Sequence, residues 1–280
     1  MHWERLSKWG DHMADFSSYS ILISAFGTIR ARSPVRIGAG KSLSIMESDL
    51  PVVKNSSGKP VIPGSSLKGF FREQLQKILL MKMQNREVDR LLKEIFGSAG
   101  KNDAASAIFF HEMEMHEGRI AERKHIAIDP EKGSVDKFFE VECVMDGAVF
   151  KGRILSARNL NPKALGLLKT VVDISNFGLG RLGGFKSRGY GEVEIKVDDI
   201  RLIFPGKEIE ELKKGFEITN LVPENFGPIK VKGADSEIFI NNENFRAEIV
   251  GNRSFFGLEA RIGGEEAVRF LDSMLKLVKL

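Results

Sequence analysis

The chain of 280 residues contains one cysteine, Cys143. This excludes an intrachain disulfide and any zinc site built from several thiolates. Cys143 falls in the apolar alternation FFEVECV, the setting of a buried structural thiol. No apolar run approaches the ~20 residues that a membrane-crossing helix needs. The opening MHWERLSKWG lacks a signal-peptide pattern. The expectation is a soluble, cytoplasmic protein with no membrane partner. A large excess of one charge is also missing: 42 basic residues stand against 38 acidic ones, a net charge of +4. With a pI near 9.0, this is compatible with a nucleic-acid partner without requiring one. Nucleotide motifs are absent as well. There is no G-x-x-x-x-G-K-[ST], and no H-R-D or D-F-G accompanies a glycine loop.

Glycine is plentiful where it is clustered. Gly178 to Gly191 reads GLGRLGGFKSRGYG, with Arg181, Lys186 and Arg188 between the glycines and no acid inside the stretch. Such a loop exposes backbone amides that can cradle an anion, and three cations beside it suit a phosphate or a string of them. It contains a G-x-G-x-x-G, but a helical pattern precedes it and the alternating strand GEVEIKV follows. That is the reverse of a dinucleotide fold. Two readings stand, a phosphate-backbone loop and an ordinary flexible connection.

The earlier chain gives a second candidate. Tyr19 to Arg32 alternates as a strand, and a long loop from Ala39 to Pro63 carries Lys41, Glu47, Asp49 and Lys54. Pro63-Gly64 then starts a helix whose stripe is Leu67, Phe70, Phe71, Leu75, Ile78 and Leu79. Ser65 or Ser66 is expected to cap it, with Lys68 and Arg72 four apart on one face near its N-terminus. This is either an anion site or a well-capped helix with a solvated basic edge. A strand over Ser106 to Met115 carries His111, read as a core histidine or a general base. Arg123, Lys124 and His125 then open a projecting basic hairpin that turns at Pro130 and Gly133. Further strands break at Asp146-Gly147, and a helix runs from Pro162 to Phe177 with Asn161 as its cap. Leu221 to Gly233 reads as loop, Glu237 to Gly257 as one or two hairpins, and Gly264 to Leu280 as an amphipathic helix.

The order strand, helix, strand, strand, helix, strand predicts an α+β protein with a modified ferredoxin-like core, β-α-β-β-α-β. The expected organisation is residues 1–199 as that core, a thumb inserted near 119–139, and residues 200–280 as a C-terminal β/α extension. The aromatic run of the common RNA-recognition motif is missing. RNA binding is therefore expected from loops and basic groups rather than from a stacked sheet face.

Three segments occur together and in order: IGAGKSLSIMESDLPVVKNSSGKPVIPGSSLKGFFREQL, RKHIAIDPEKGSVDKFFEVECV and GLGRLGGFKSRGYGEVEI. In combination they resemble the RAMP superfamily of CRISPR-associated proteins, and within it the repeated backbone subunits of type III effector complexes. The resemblance covers roughly Tyr19 to Val197. It implies a ferredoxin-like subunit that stacks with copies of itself and with other RAMP subunits along CRISPR RNA, with a thumb that interrupts the guide–target duplex.

By that resemblance the guide contacts map onto Arg36, Lys41, Ser65, Ser66, Lys68 and Arg72, and the thumb carries Arg123, Lys124 and His125. The C-terminal glycine loop, with Arg181, Gly183, Gly184, Lys186, Ser187 and Arg188, lies against the guide. An aspartate before I-P-G-S-S-L-K-G, here Asp49, implies cleavage of target RNA with a divalent metal, Mg2+ or Mn2+. Read by itself, an Asp in such a loop is equally a turn-former. Two alternatives stand beside the endoribonuclease. One is the same RNA-binding scaffold without catalysis. The other is a metal-independent ribonuclease that matures CRISPR RNA precursors, against which counts the lack of any histidine between His12 and His111.

Overall fold

Alternation of apolar and polar side chains sets the first strand. In β1 (Leu22–Ala31), Ile23, Ala25 and Ile29 are buried, while Leu22, Ser24, Phe26 and Thr28 are half-buried. This two-residue period marks a strand with one covered face. The computed structural model describes residues 21–40, 50–98, 106–128, 131–158, 162–218, 229–234, 236–240, 243–251 and 257–278. After β1 come β2 (Val61–Ile62), α1 (Gly64–Leu79), α2 (Asn85–Phe96), β3 (Ile108–Phe110) and β4 (Met113–Glu117). The ribbon β5 (Ile120–Ile128) and β6 (Val135–Val144) precedes β7 (Val149–Arg158), α3 (Pro162–Asn176) and β8 (Val193–Phe204). The C-terminal part adds α4 (Ile209–Lys214), β9 (Phe216–Ile218), β10 (Ile229–Ala234), β11 (Glu237–Ile240) and β12 (Glu243–Arg246). It ends with β13 (Glu248–Val250), β14 (Leu258–Gly263) and α5 (Glu265–Lys276).

The protein is a mixed α/β fold with antiparallel sheets. The main sheet runs β13-β14-β8-β1-β7-β4-β2, with β3 also on β7. A four-stranded sheet runs β12-β11-β10-β9, and β5 and β6 pair only with each other. Three helices cover one face of the main sheet. Ala25 of β1, Ile154 of β7 and Val197 of β8 meet Phe71 of α1, Leu168 of α3 and Leu271 of α5 around one small apolar gap. Truncating a buried ring such as Phe71 typically costs about 3–5 kcal/mol. Lys169 on α3 ties the helices together, reaching Asp173 at 2.8 Å and Asp272 on α5 at 2.9 Å. Burial works against the charge of that ammonium, but the two carboxylates hold its pKa above the ordinary lysine value.

Several expectations change. The strand read over Ser106 to Met115 is two short strands, β3 and β4. Ser65 and Ser66 do not cap α1. Pro63 holds the cap position, its carbonyl accepting from the Ser66 and Leu67 amides at 2.9 and 3.1 Å, so both serines sit inside the first turn. Gly64 is needed there because a Cβ would lie 2.4 Å from the Phe110 carbonyl oxygen. Strand β8 runs unbroken across residues 199 and 200, where the sequence places a boundary. The loop read over Leu221 to Gly233 contains β10, which is held between β9 and β11. Neither α4 nor β14 has a periodic signature long enough to read. One is six residues closed by a Glu208–Glu211 capping box, and the other gains its place by pairing with β8.

Candidate nucleic-acid interface

The glycine loop is pinned, not free. The Gly184 amide donates to the Arg36 carbonyl and the Gly191 amide to the Pro34 carbonyl, both at 2.8 Å. The Glu192 amide donates to Ser33 Oγ at 2.9 Å. The loop therefore lies along residues 33–36, immediately after β1. Gly183 has φ +87°, and a Cβ there would fall 2.2 Å from the Arg36 carbonyl oxygen. Only glycine permits both the conformation and the approach. Phe185 also takes a left-handed conformation, φ 57°, leading into a short 3-10 turn of Lys186, Ser187 and Arg188.

Three segments distant in sequence now share one open groove of about 500 Å³. Arg36, Ile37, Gly38 and Gly40 line it together with Leu50, Ser66 of α1, and Gly183 and Gly184 of the glycine loop. Ser66 lies in the first turn of α1, where the Ser66 and Leu67 amides are already held by the Pro63 carbonyl, so a helix N-terminus, a hydroxyl and a glycine loop meet an arginine. That guanidinium is unusual. Its Nε is buried without a hydrogen-bond partner. Its face lies over the Phe185 ring at 5.3 Å. Burial draws its pKa down from the ordinary arginine value. Half-buried and paired with no carboxylate among the described residues, this cation gains from a bound anion.

The remaining cations divide into engaged and available. Arg181 pairs with Glu192 at 3.2 Å and donates to the Gly178 and Gly180 carbonyls at 2.5 and 3.2 Å, so it braces the loop from within. Lys186 pairs with Glu73 of α1, which also holds Lys77. Desolvation opposes charge on the Glu73 carboxylate, yet the two lysines hold its pKa below the ordinary value. Among the described residues Lys68 and Arg72 form no ion pair, and Arg188 lies over the Phe185 ring at 5.0 Å. Ser65 and Ser187 are exposed, and neither lines the groove. The countercharges Glu73 and Glu192 and the aromatic brace Phe185 were not singled out from sequence. The interleaving of rings and cations in GFKSRGY was the available signal.

The basic run of β5 is divided by strand alternation. Lys124 faces outward beside Glu140 at 3.7 Å, over the Phe138 ring. His125 faces inward, stacked on Phe139 at 5.7 Å and Phe185 at 5.4 Å, with Nε2 2.9 Å from the Tyr190 hydroxyl. Arg123 lies over the Tyr190 ring at 5.8 Å. Thus the ribbon docks on the glycine loop through an aromatic cluster, while Ile126, Ile128, Val135 and Phe138 remain exposed. Burial first, then Arg188 and Arg123, lowers the His125 pKa below 6.5. The unfolded histidine then binds the proton more readily than the folded one, so stability rises with pH across that window. The docking contributes fully above pH 6.5 and weakens as pH falls through it. Amide exchange of residues 185–190 should accelerate from pH 7.5 to 5.5, and His125→Phe should remove the pH dependence. An exchange rate that changes equally in both proteins, after correction for intrinsic chemistry, would detach His125 from this role.

His111 donates or accepts at 2.8 Å with Ser156 Oγ and is half-buried. Cys143 is buried, its thiol 3.4 Å from the Ala121 carbonyl, and burial pushes its pKa up. Lys41, Asp49, the hairpin turn at Asp129-Pro130 and the Asn161 cap lie outside the described residues. Among the described residues no three His, Cys, Asp or Glu side chains come together. Glu142, near the end of the 41–49 segment, is already engaged by the Val52 amide at 2.8 Å and Lys54 Nζ at 2.7 Å. The described residues do not by themselves form a divalent-metal site.

A family model described as the RAMP superfamily matches residues 28–194. A protein of Enterococcus italicus described as "CRISPR system Cms endoribonuclease Csm3" is 28% identical over 199 residues, covering 64% of this chain and 91% of that protein. A chain of the structure described as "Type III-B Cmr-beta Cryo-EM structure of the Apo state" superposes with a TM-score of 0.49 at 15% identity. It covers 62% of this chain and 96% of that one.

Proposed function

Because the chain belongs to the RAMP superfamily, we propose that it is a backbone subunit of a type III CRISPR effector complex that holds CRISPR RNA by its phosphates. The observation that carries this reading is the convergence of Arg36, Ser66, Gly183 and Gly184 on one groove. Amides, hydroxyls and guanidinium groups bind phosphates without reading bases, which a subunit must do if its guide carries the sequence information. The order β8-β1-β7-β4, with α1 and α3 on one face, supports a ferredoxin-like core. Residues 1–199 are read as that RNA-binding core and residues 200–280 as an extension on it. The ribbon β5–β6 is read as the thumb, set between guide and target.

Target cleavage is the second half of the proposal, supported by the relative described as an endoribonuclease. Asp49 is assigned the essential carboxylate. A divalent ion held there, with phosphate oxygens and water completing its shell, would stabilise charge on the scissile phosphate. The protein's own residues bind and orient: the groove fixes the guide, and the loop that carries Asp49 leads directly into Leu50 at the groove wall. The partners are CRISPR RNA, target RNA, other RAMP subunits and further copies of this chain.

RNA co-purifying with the protein tests the binding half. Small RNA of uniform, repeat-derived sequence is expected. Arg36→Ala, Lys68→Ala and Arg72→Ala should each weaken guide binding for all sequences alike. Each should also lower the salt slope of log affinity by about 0.7, the value per phosphate contact on a single strand. Arg181→Ala should instead act mainly through the fold of the loop, lowering the melting temperature. Unchanged affinity and slope in the first three variants would overturn the phosphate track.

A further inference from the structure

The face of the main sheet opposite the helices carries a second constellation, and no residue of it lines the groove. Phe26 stands at its centre on β1. The Arg153 guanidinium from β7 lies over its ring at 5.3 Å, and that of Arg201 from β8 at 4.2 Å. Arg261 on β14 is the register partner of Arg201. Ser24 and Ser156 pair directly across β1 and β7, and Ser156 Oγ is 2.8 Å from His111 Nε2. We propose that this sheet face is a second binding surface for single-stranded RNA, with the two guanidinium groups held over Phe26 as the stacking platform.

The chemistry favours RNA over an acidic protein. A ring flanked by guanidinium planes offers flat, cationic area on which any nucleobase can stack. The His111–Ser156 pair beside it supplies neutral donors and acceptors suited to base edges. Strands lie 4.7–4.9 Å apart, so Arg153 to Arg261 spans about 14 Å across β7, β1, β8 and β14. Arg201 is held by Asp199 at 2.8 Å and Arg261 by Glu259 at 2.6 Å. These pairs are partly solvent-exposed, with arginine side chains 39% and 34% accessible. Exposed pairs of this kind are weak, so they hold the guanidinium groups against the sheet and still yield to phosphates. Arg153 carries no such countercharge among the described residues. No consecutive aromatic motif marks this surface, because β1 supplies the ring while β7 and β8 supply the cations.

The test measures binding of fluorescein-labelled oligouridylate to the full-length chain. It compares wild type, a groove variant (Arg36→Ala, Lys68→Ala, Arg72→Ala), and the groove variant with Phe26→Leu added. The leucine keeps the apolar volume, and the melting temperature of Phe26→Leu alone checks that the sheet is intact. The groove variant should retain measurable binding. Adding Phe26→Leu should weaken it about tenfold, the loss of one stacking platform. Photo-crosslinks from 4-thiouridine in the probe should map to the peptides of β1 and β7. If the groove variant binds nothing, or Phe26→Leu changes neither affinity nor crosslinks, this inference is overturned while the groove reading stands. If the groove substitutions leave affinity unchanged and Phe26→Leu removes it, the groove reading fails and the sheet surface remains. A face that crosslinks to no RNA but is protected by a co-purifying protein also overturns it.

Discussion

Replacing Asp49 by alanine is expected to leave the guide-bound complex assembled and to reduce target-RNA cleavage by at least about a hundredfold. Losing one group aimed at developing charge costs on this order. The expectation follows from a separation of roles. In the proposed reading, binding rests on Arg36, Lys68, Arg72 and the pinned glycine loop, none of which is adjacent to Asp49 in sequence. Its sequence neighbour Leu50 lines the groove. Asp49→Asn preserves size and hydrogen bonding while removing charge, and it should be equally inactive. A chelator should reproduce both variants in the wild type. Reconstituted complexes with labelled target RNA provide the readout. Full cleavage by either variant removes Asp49 from the reaction. Loss of activity in the variants together with insensitivity to chelator would keep the carboxylate and remove the metal. A wild-type complex that binds target without cutting it would leave the scaffold reading.

Periodicity made much of the fold legible. The stripe Leu67, Phe70, Phe71, Leu75 and Leu79 is buried as expected, and β1, β7, α1 and α3 fall close to where alternation and helical spacing put them. The short elements were not legible. α4 has too few turns for a stripe, and β10 and β14 owe their pairing to neighbours rather than to their own residues. Composition marked the loops that meet at the groove but not how their charges are paired. The glycine stretch has no acid within it, yet Glu192 and Glu73 come from outside and occupy Arg181 and Lys186. Arg36, placed by resemblance alone, is half-buried and has a buried, unsatisfied Nε. A basic triplet such as Arg123-Lys124-His125 looks like one patch in sequence, but a strand sends alternate members to opposite faces. His125 thereby becomes part of an aromatic cluster, where burial and the nearby arginines lower its pKa.

Gly183→Ala should be the most damaging single methyl in the interface, and a second glycine separates the reasons. Gly183 and Gly189 have nearly the same backbone conformation, φ +87° and +82°. Alanine is strained at both by about 1–2 kcal/mol. Around Gly189 a Cβ would meet nothing within 4 Å, whereas at Gly183 it would lie 2.2 Å from the Arg36 carbonyl oxygen. That oxygen also accepts from the Gly184 amide at 2.8 Å, so relief of the clash breaks the bond that holds the loop to the arginine segment. Gly189→Ala should lower the melting temperature slightly and leave guide affinity within about twofold, because strain alone does not move the groove. Gly183→Ala should destabilise by about 2–4 kcal/mol, the sum of strain and a displaced contact, and weaken guide binding at least about tenfold. Calorimetry and RNA titration on the two variants give the comparison. Equal effects would mean that the loop and Arg36 are not rigidly coupled. A large affinity loss confined to Gly183→Ala would mean that the anion site exists only while the glycine loop and the Arg36 segment are held together.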